Sequence, residues 1–106
     1  MTTEIKLRNI CGHTSVIDAE CTDEGTHITI RTTCPKVSKW GSDFTVSAEN
    51  MMDINAAFAE NNKTAKLTPT CFIPVLVMNA VWLENGMISK SLAEKSGLAD
   101  IEYIRK

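Results

Sequence analysis

A chain of 106 residues with 43% apolar and 23% charged side chains carries enough hydrophobic material for one modest core and lies outside the disordered range. Its formal charge of −2 leaves no basic excess for neutralising a run of phosphates, which sets DNA and RNA aside as partners. The most apolar run, CFIPVLVMNAVWL at 71–83, is too short to span a bilayer. The opening MTTEIKLRNI carries charges where a secretory signal would be apolar, so the expectations are no membrane and a cytoplasmic location.

No repeat, low-complexity tract or Pro/Gly/Ser linker interrupts the chain, and residues 1–106 read as a single domain. The first element is TEIKLRN, where Ile5 and Leu7 alternate with Glu4, Lys6 and Arg8 at the period of a half-buried strand. After a Cys11-Gly12-His13 turn, SVIDAEC sets Ile17, Ala19 and Cys21 on one face. THITIRTT then sets Ile28 and Ile30 against His27, Thr29 and Arg31. Two alternating runs around Asp23-Glu24-Gly25 predict an antiparallel hairpin, with His27 on the solvated face.

The second half reads as helical. CPKVSKWGSDF has Pro35 at a first helical position, where its missing N–H costs nothing. SAENMMDINAAFAENN predicts a helix with Ser47 as N-cap and Met51, Ile54 and Phe58 at helical spacing. CFIPVLVMNAVWLENG predicts a nearly all-apolar, buried helix ending at Asn85-Gly86. SLAEKSG suggests a Ser91–Glu94 capping box closed by Gly97, and DIEYIRK a short terminal strand. Strands first and helices afterwards predict an α+β domain, about three antiparallel strands with helices packed on one face.

In a cytosolic chain the four cysteines read as free thiols, ligands or catalytic groups rather than disulfides. Cys34, just before Pro35, and Cys71, three residues before Pro74, are each expected to cap a helix. A sulfur placed there meets unpaired N–H groups and the positive end of the helix dipole. Hairpin pairing returns Cys34 toward the Cys11-Gly12-His13 turn. Cys21, in phase with Ile17 and Ala19, is expected to be an inert core thiol.

The donors Cys11, His13, Cys34 and Cys71 would suit zinc or an iron–sulfur cluster, although each cysteine could equally be a small core residue. Two alternatives stand beside that reading. One is a thiol enzyme with Cys34 as nucleophile and His13 as general base. The other is a non-catalytic interaction module that self-associates through Trp40, Trp82, Met51 and Met52.

The sequence CGH...VIDAECTDEGTHITIRTTC, a helix, and then CFIPVLVMNAV opening a long apolar helix resembles the iron–sulfur cluster assembly scaffolds of the IscU/NifU N-terminal type, over residues 11 to about 85. It also resembles short proteins without an assigned activity that share the CG, C and CxxP landmarks. The resemblance aligns Cys11, Cys34 and Cys71 with three ligand cysteines and puts His13 where that family has an aspartate. It implies an IscU-like fold, an iron–sulfur cofactor, and a cysteine desulfurase or cluster-receiving protein as partner. The chain departs from that family at Thr70, where a histidine precedes the third cysteine, and at Pro35, where a glycine follows the second.

Overall fold

The structure, a computed structural model, describes residues 2–105. Four strands, β1 (Thr3–Arg8), β2 (Thr14–Thr22), β3 (Gly25–Thr32) and β4 (Asp43–Val46), form one antiparallel sheet in the order β1-β2-β3-β4. The domain is α+β, with one strand more than the sequence predicts. The extra strand is β4, which begins within the last two residues of the segment read as the first helix and runs past it.

Period-2 alternation sets the register. Ile5, Ile17 and Ile30 lie side by side across β1, β2 and β3, and Ala19, Ile28 and Phe44 form the adjoining row. A one-residue slip would turn every one of these side chains to water. The opposite face is polar: Arg31 reaches Glu4 at 3.0 Å and Asp18 at 3.1 Å. His27, expected to be merely solvated, contacts Asp43 of β4 at 2.6 Å. At the β2–β3 turn Gly25 has φ 139°, and a Cβ there would run into the Val46 carbonyl, so this turn requires glycine.

Helix α1 (Pro35–Trp40) begins at the proline, with Cys34 as N-cap, and packs against β3. It stops at Gly41, whose missing side chain leaves room for Asn61 and the Phe44 ring. Trp40 is buried at the centre of an aromatic cluster, 5.0 Å from Phe58 and 5.7 Å from Phe44 between ring centroids. Its indole N–H donates to Asn62 Oδ1 at 2.8 Å, and its carbonyl accepts from Asn61 Nδ2 at 3.0 Å.

The helix predicted from Ser47 is instead three short pieces: a 3-10 turn (Ala48–Asn50), α2 (Ile54–Ala57) and α3 (Asn61–Thr64). Asp53 interrupts it. Its carboxylate accepts from the N–H groups of Asn55 and Ala56, which restarts the helix there, whereas Ser47 makes no side-chain cap.

Helix α4 (Ile73–Glu84) lies across the apolar face of β1 and β2 and buries Ile73, Val77, Ala80, Val81 and Leu83. Each fully buried Ile, Val or Leu stabilises the layer by about 1.5–3 kcal/mol relative to exposure. Asn85 caps the helix and Gly86, at φ 75°, turns the chain away, as the sequence predicts. Helix α5 (Lys90–Ser96) starts at Ser89, whose hydroxyl accepts from the Leu92 N–H, so the cap is Ser89 and not Ser91. Residues 101–105 form no strand.

The C-terminus of α4 is fastened to one end of the sheet. Glu84, with only 5% of its side chain exposed, accepts from the Thr3 hydroxyl at 2.7 Å, the Cys21 N–H at 3.3 Å and Lys90 Nζ at 3.3 Å. Asn85 Nδ2 adds a bond to the Thr26 hydroxyl at 2.8 Å. No helix among the described residues is long and apolar enough to cross a membrane.

Candidate functional site

With the C-terminus of α4 held at Thr3, Cys21 and Thr26, its N-terminus points along the sheet toward the opposite end, where β1 ends at Arg8, β2 begins and β3 finishes. Phe72, the N-cap of α4, lines the same groove as Asn9 and Ile10 of the β1–β2 turn. Cys71 therefore lies at the same end of the sheet as Cys11, His13 and Cys34.

The turn that carries Cys11 is built by Asn9. Its carbonyl accepts from the Gly12 N–H at 2.9 Å, its N–H donates to the His13 carbonyl at 3.1 Å, and its side chain accepts from the Ile10 N–H. Gly12, at φ 89° with open space around it, lets the chain reverse. Cys11 is exposed at the tip.

His13 is half-buried, with Nδ1 at 2.9 Å from the Thr33 hydroxyl, which also accepts the Thr14 N–H at 3.1 Å. In the tautomer whose Nδ1 donates to Thr33, Nε2 carries the lone pair and is the nitrogen able to ligate. Thr33, the residue after the end of β3, ties the imidazole to that strand. A nucleophile–base pair would instead join His13 to the Cys34 thiol, and that contact is not among the hydrogen bonds of the described residues.

Cys34 is half-buried against the core. Its N–H donates to the Thr32 hydroxyl at 3.1 Å and its carbonyl accepts the Ser38 N–H at 3.0 Å, so it opens α1 through its backbone, with no side-chain cap. Cys71 is also half-buried, but it is not the N-cap of α4. Phe72 holds that position with Pro74 inside the first turn, and Cys71 sits one residue earlier with its N–H on the Thr68 carbonyl at 2.9 Å. The sequence reading placed Pro74 one residue too deep in the helix.

Cys21 departs further from expectation. It is exposed rather than buried, because β2 runs past the edge of the helical layer there. Its thiol points at the end of α4, 3.3 Å from Asn85 Oδ1 and 3.7 Å from the Glu84 carbonyl. In-phase alternation identified the correct face of β2 but could not show where the covering helix ends.

The four donors share one end of the sheet without forming a closed cage. Among the described residues no three His, Cys, Asp or Glu side chains are gathered closely enough to hold a metal ion. Cys34 and Cys71 pack against the core, whereas Cys11 is exposed at the tip of its turn.

Two surface grooves flank the helical layer. One, about 350 Å³, is lined by Met51, Met52 and Trp82, three of the residues named for a self-association surface, together with Met78; the Trp82 indole N–H donates to the Met51 carbonyl at 2.8 Å. Trp40, grouped with these residues in the sequence reading, belongs to the core. The larger, about 940 Å³, runs beside β1. The larger groove is lined by the exposed apolar residues Ile10, Phe72, Ile101 and Tyr103; the sequence patterns assigned Phe72 to a buried helix and Ile101 and Tyr103 to a terminal strand, and so did not reveal it.

A protein-family model described as a family of unknown function (DUF6951) matches residues 1–96, and the chain belongs to that family. No curated protein and no solved structure matches the chain.

Proposed function

We propose that this member of a family without an assigned activity is a small cysteine-ligated metal or iron–sulfur protein, with Cys11, His13, Cys34 and Cys71 as its donors. The observation that supports it most is the convergence of donors from three separate segments at one end of the sheet: the β1–β2 turn, the start of α1 and the approach to α4. Three thiols and one imidazole are a soft donor set that suits tetrahedral zinc or a cluster with one non-thiolate ligand.

Binding on this reading closes the Cys11 turn onto Cys34 and Cys71, with Gly12 as the pivot. Thr33 holds the imidazole through Nδ1, which orients Nε2 as an outer partner of a ligating histidine does. The exposure of Cys11 would let a cluster enter and leave, as a scaffold or carrier requires, and the landmark resemblance to IscU/NifU scaffolds points the same way. A cysteine desulfurase or a cluster-receiving protein is the corresponding partner, in the cytoplasm.

The test is metal and acid-labile sulfide analysis of protein prepared without oxygen. Iron with sulfide, or zinc, at about one site per chain is the expected result. A folded chain that carries neither, and takes up neither when they are supplied, would refute the proposal.

A further inference from the structure

β1 ends the sheet, so a row of its backbone N–H and C=O groups faces away from β2 with no strand beyond it. The 940 Å³ groove lies along that edge. Residues 2–10 line it without a break, and since their side chains alternate between the two faces of the sheet, the groove follows the strand's edge rather than either face. Its far wall carries the apolar side chains of Phe72 at the N-cap of α4, Leu98 beyond α5, and Ile101 and Tyr103 of the tail, beside Lys90 and Glu94 of α5. Phe72, Ile101 and Tyr103 are 40%, 71% and 89% exposed, far above the level of the core. An apolar trough beside an open strand edge suits another extended strand.

The residues of β1 specify which strand. Glu4 and Lys6 project from the polar face with Ile5 between them on the core face. If β1 runs antiparallel to a second β1 about a two-fold axis at Ile5, Glu4 lies opposite Lys6 of the partner subunit, and Lys6 opposite Glu4 of the partner subunit. Ile5 then meets its own copy, and Thr3 lies opposite Leu7 of the partner subunit. Directly opposed residues point to the same face, so charge meets opposite charge above the sheet and apolar meets apolar below it. A lone outward lysine on an edge strand deters pairing. A glutamate two residues earlier makes that same lysine complementary to its own copy. Centring the pairing on Lys6 instead would also set Glu4 opposite Arg8 of the partner subunit, but it opposes the two lysines at the axis, whereas the register at Ile5 opposes no like charges within β1 and is the one the charges favour.

We propose that β1 is a self-complementary interface at which two copies of this chain pair edge to edge about a two-fold axis at Ile5. The pairing joins two four-stranded sheets into a continuous one. The apolar groove wall then borders the new seam on the helical side of the sheet.

Sedimentation equilibrium of the full chain and its variants, up to about 100 µM, tests this, with circular dichroism to confirm folding. The wild type is expected to dimerise. Lys6→Glu opposes Glu4 to a second carboxylate twice, by symmetry, and is expected to weaken the dimer by about tenfold or more. The exchanged variant Glu4→Lys/Lys6→Glu restores both opposed pairs and is expected to recover most of the association. Recovery cannot come from the exposed Glu4–Arg31 ion pair, which the exchange also removes. A monomeric wild type would overturn the proposal and leave the edge for a strand of another protein. A dimer indifferent to Lys6→Glu, or an exchanged variant no better than the single one, would overturn it too.

Discussion

Replacing Glu84 tests whether α4 is fastened at the end of the sheet remote from Cys11, Cys34 and Cys71. Its side chain is 5% exposed, and its carboxylate accepts from the Thr3 hydroxyl, the Cys21 N–H and Lys90. Hydrogen bonds to a charged group contribute about 1.5–3 kcal/mol where neutral ones contribute about 0.5–1.5. Glu84→Gln keeps the shape and an acceptor but removes the charge, so a loss of about 1–2 kcal/mol is expected at neutral pH. Glu84→Ala leaves the buried Thr3 hydroxyl and the Cys21 N–H without their acceptor and opens a void, for a loss of about 3 kcal/mol or more.

Burial alone would push the Glu84 carboxyl up, but the Thr3 hydroxyl, the Cys21 N–H and Lys90 together outweigh it and hold the carboxyl below its ordinary value of 4.5. A carboxyl depressed in the folded state contributes stability that is fully present above its unfolded pKa and is lost as pH falls through the folded one. Urea unfolding from pH 7 down to about pH 3 should therefore show the difference between wild type and Glu84→Gln shrinking below about pH 4.5. Equal stabilities at pH 7, or a difference that stays constant into acid, would refute the reasoning.

Two further outcomes follow from exposure and backbone geometry. In metal-free protein, a thiol reagent such as a maleimide is expected to modify Cys11 and Cys21 first and the half-buried Cys34 and Cys71 later, which mass spectrometry of timed digests would resolve. Gly25→Ala, with a Cβ forced against the Val46 carbonyl at φ 139°, is expected to cost about 2 kcal/mol or more and to lower the melting temperature by roughly 8 °C or more.

The hairpin was legible because two long alternating runs flank a glycine that the turn requires, and α4 because a nearly all-apolar segment of its length has nowhere to go but the core. β4 was not legible: two apolar residues in a strand of four give too short a period to compete with the helical signal before it. The helix expected from Ser47 failed at Asp53, whose side chain offers the backbone a new N-terminus in mid-pattern. For the site, strand pairing was enough to bring Cys34 beside the Cys11-Gly12-His13 turn. Cys71 joins them only because Glu84 and Asn85 fix the direction of α4, and those contacts span more than fifty residues of sequence. The exposure of Cys21 had the same cause: it depends on where α4 stops over β2, which no local pattern encodes.

The most direct test of a shared donor set at the far end of the sheet is a cobalt(II) titration of the reduced chain, followed by its thiolate charge-transfer absorption. Saturation at about one cobalt per chain is expected, with the band weakened in each of Cys11→Ser, Cys34→Ser and Cys71→Ser and unchanged in Cys21→Ser. No thiolate band in the folded wild type, or a band lost in Cys21→Ser while the other three variants retain it, would contradict the assignment.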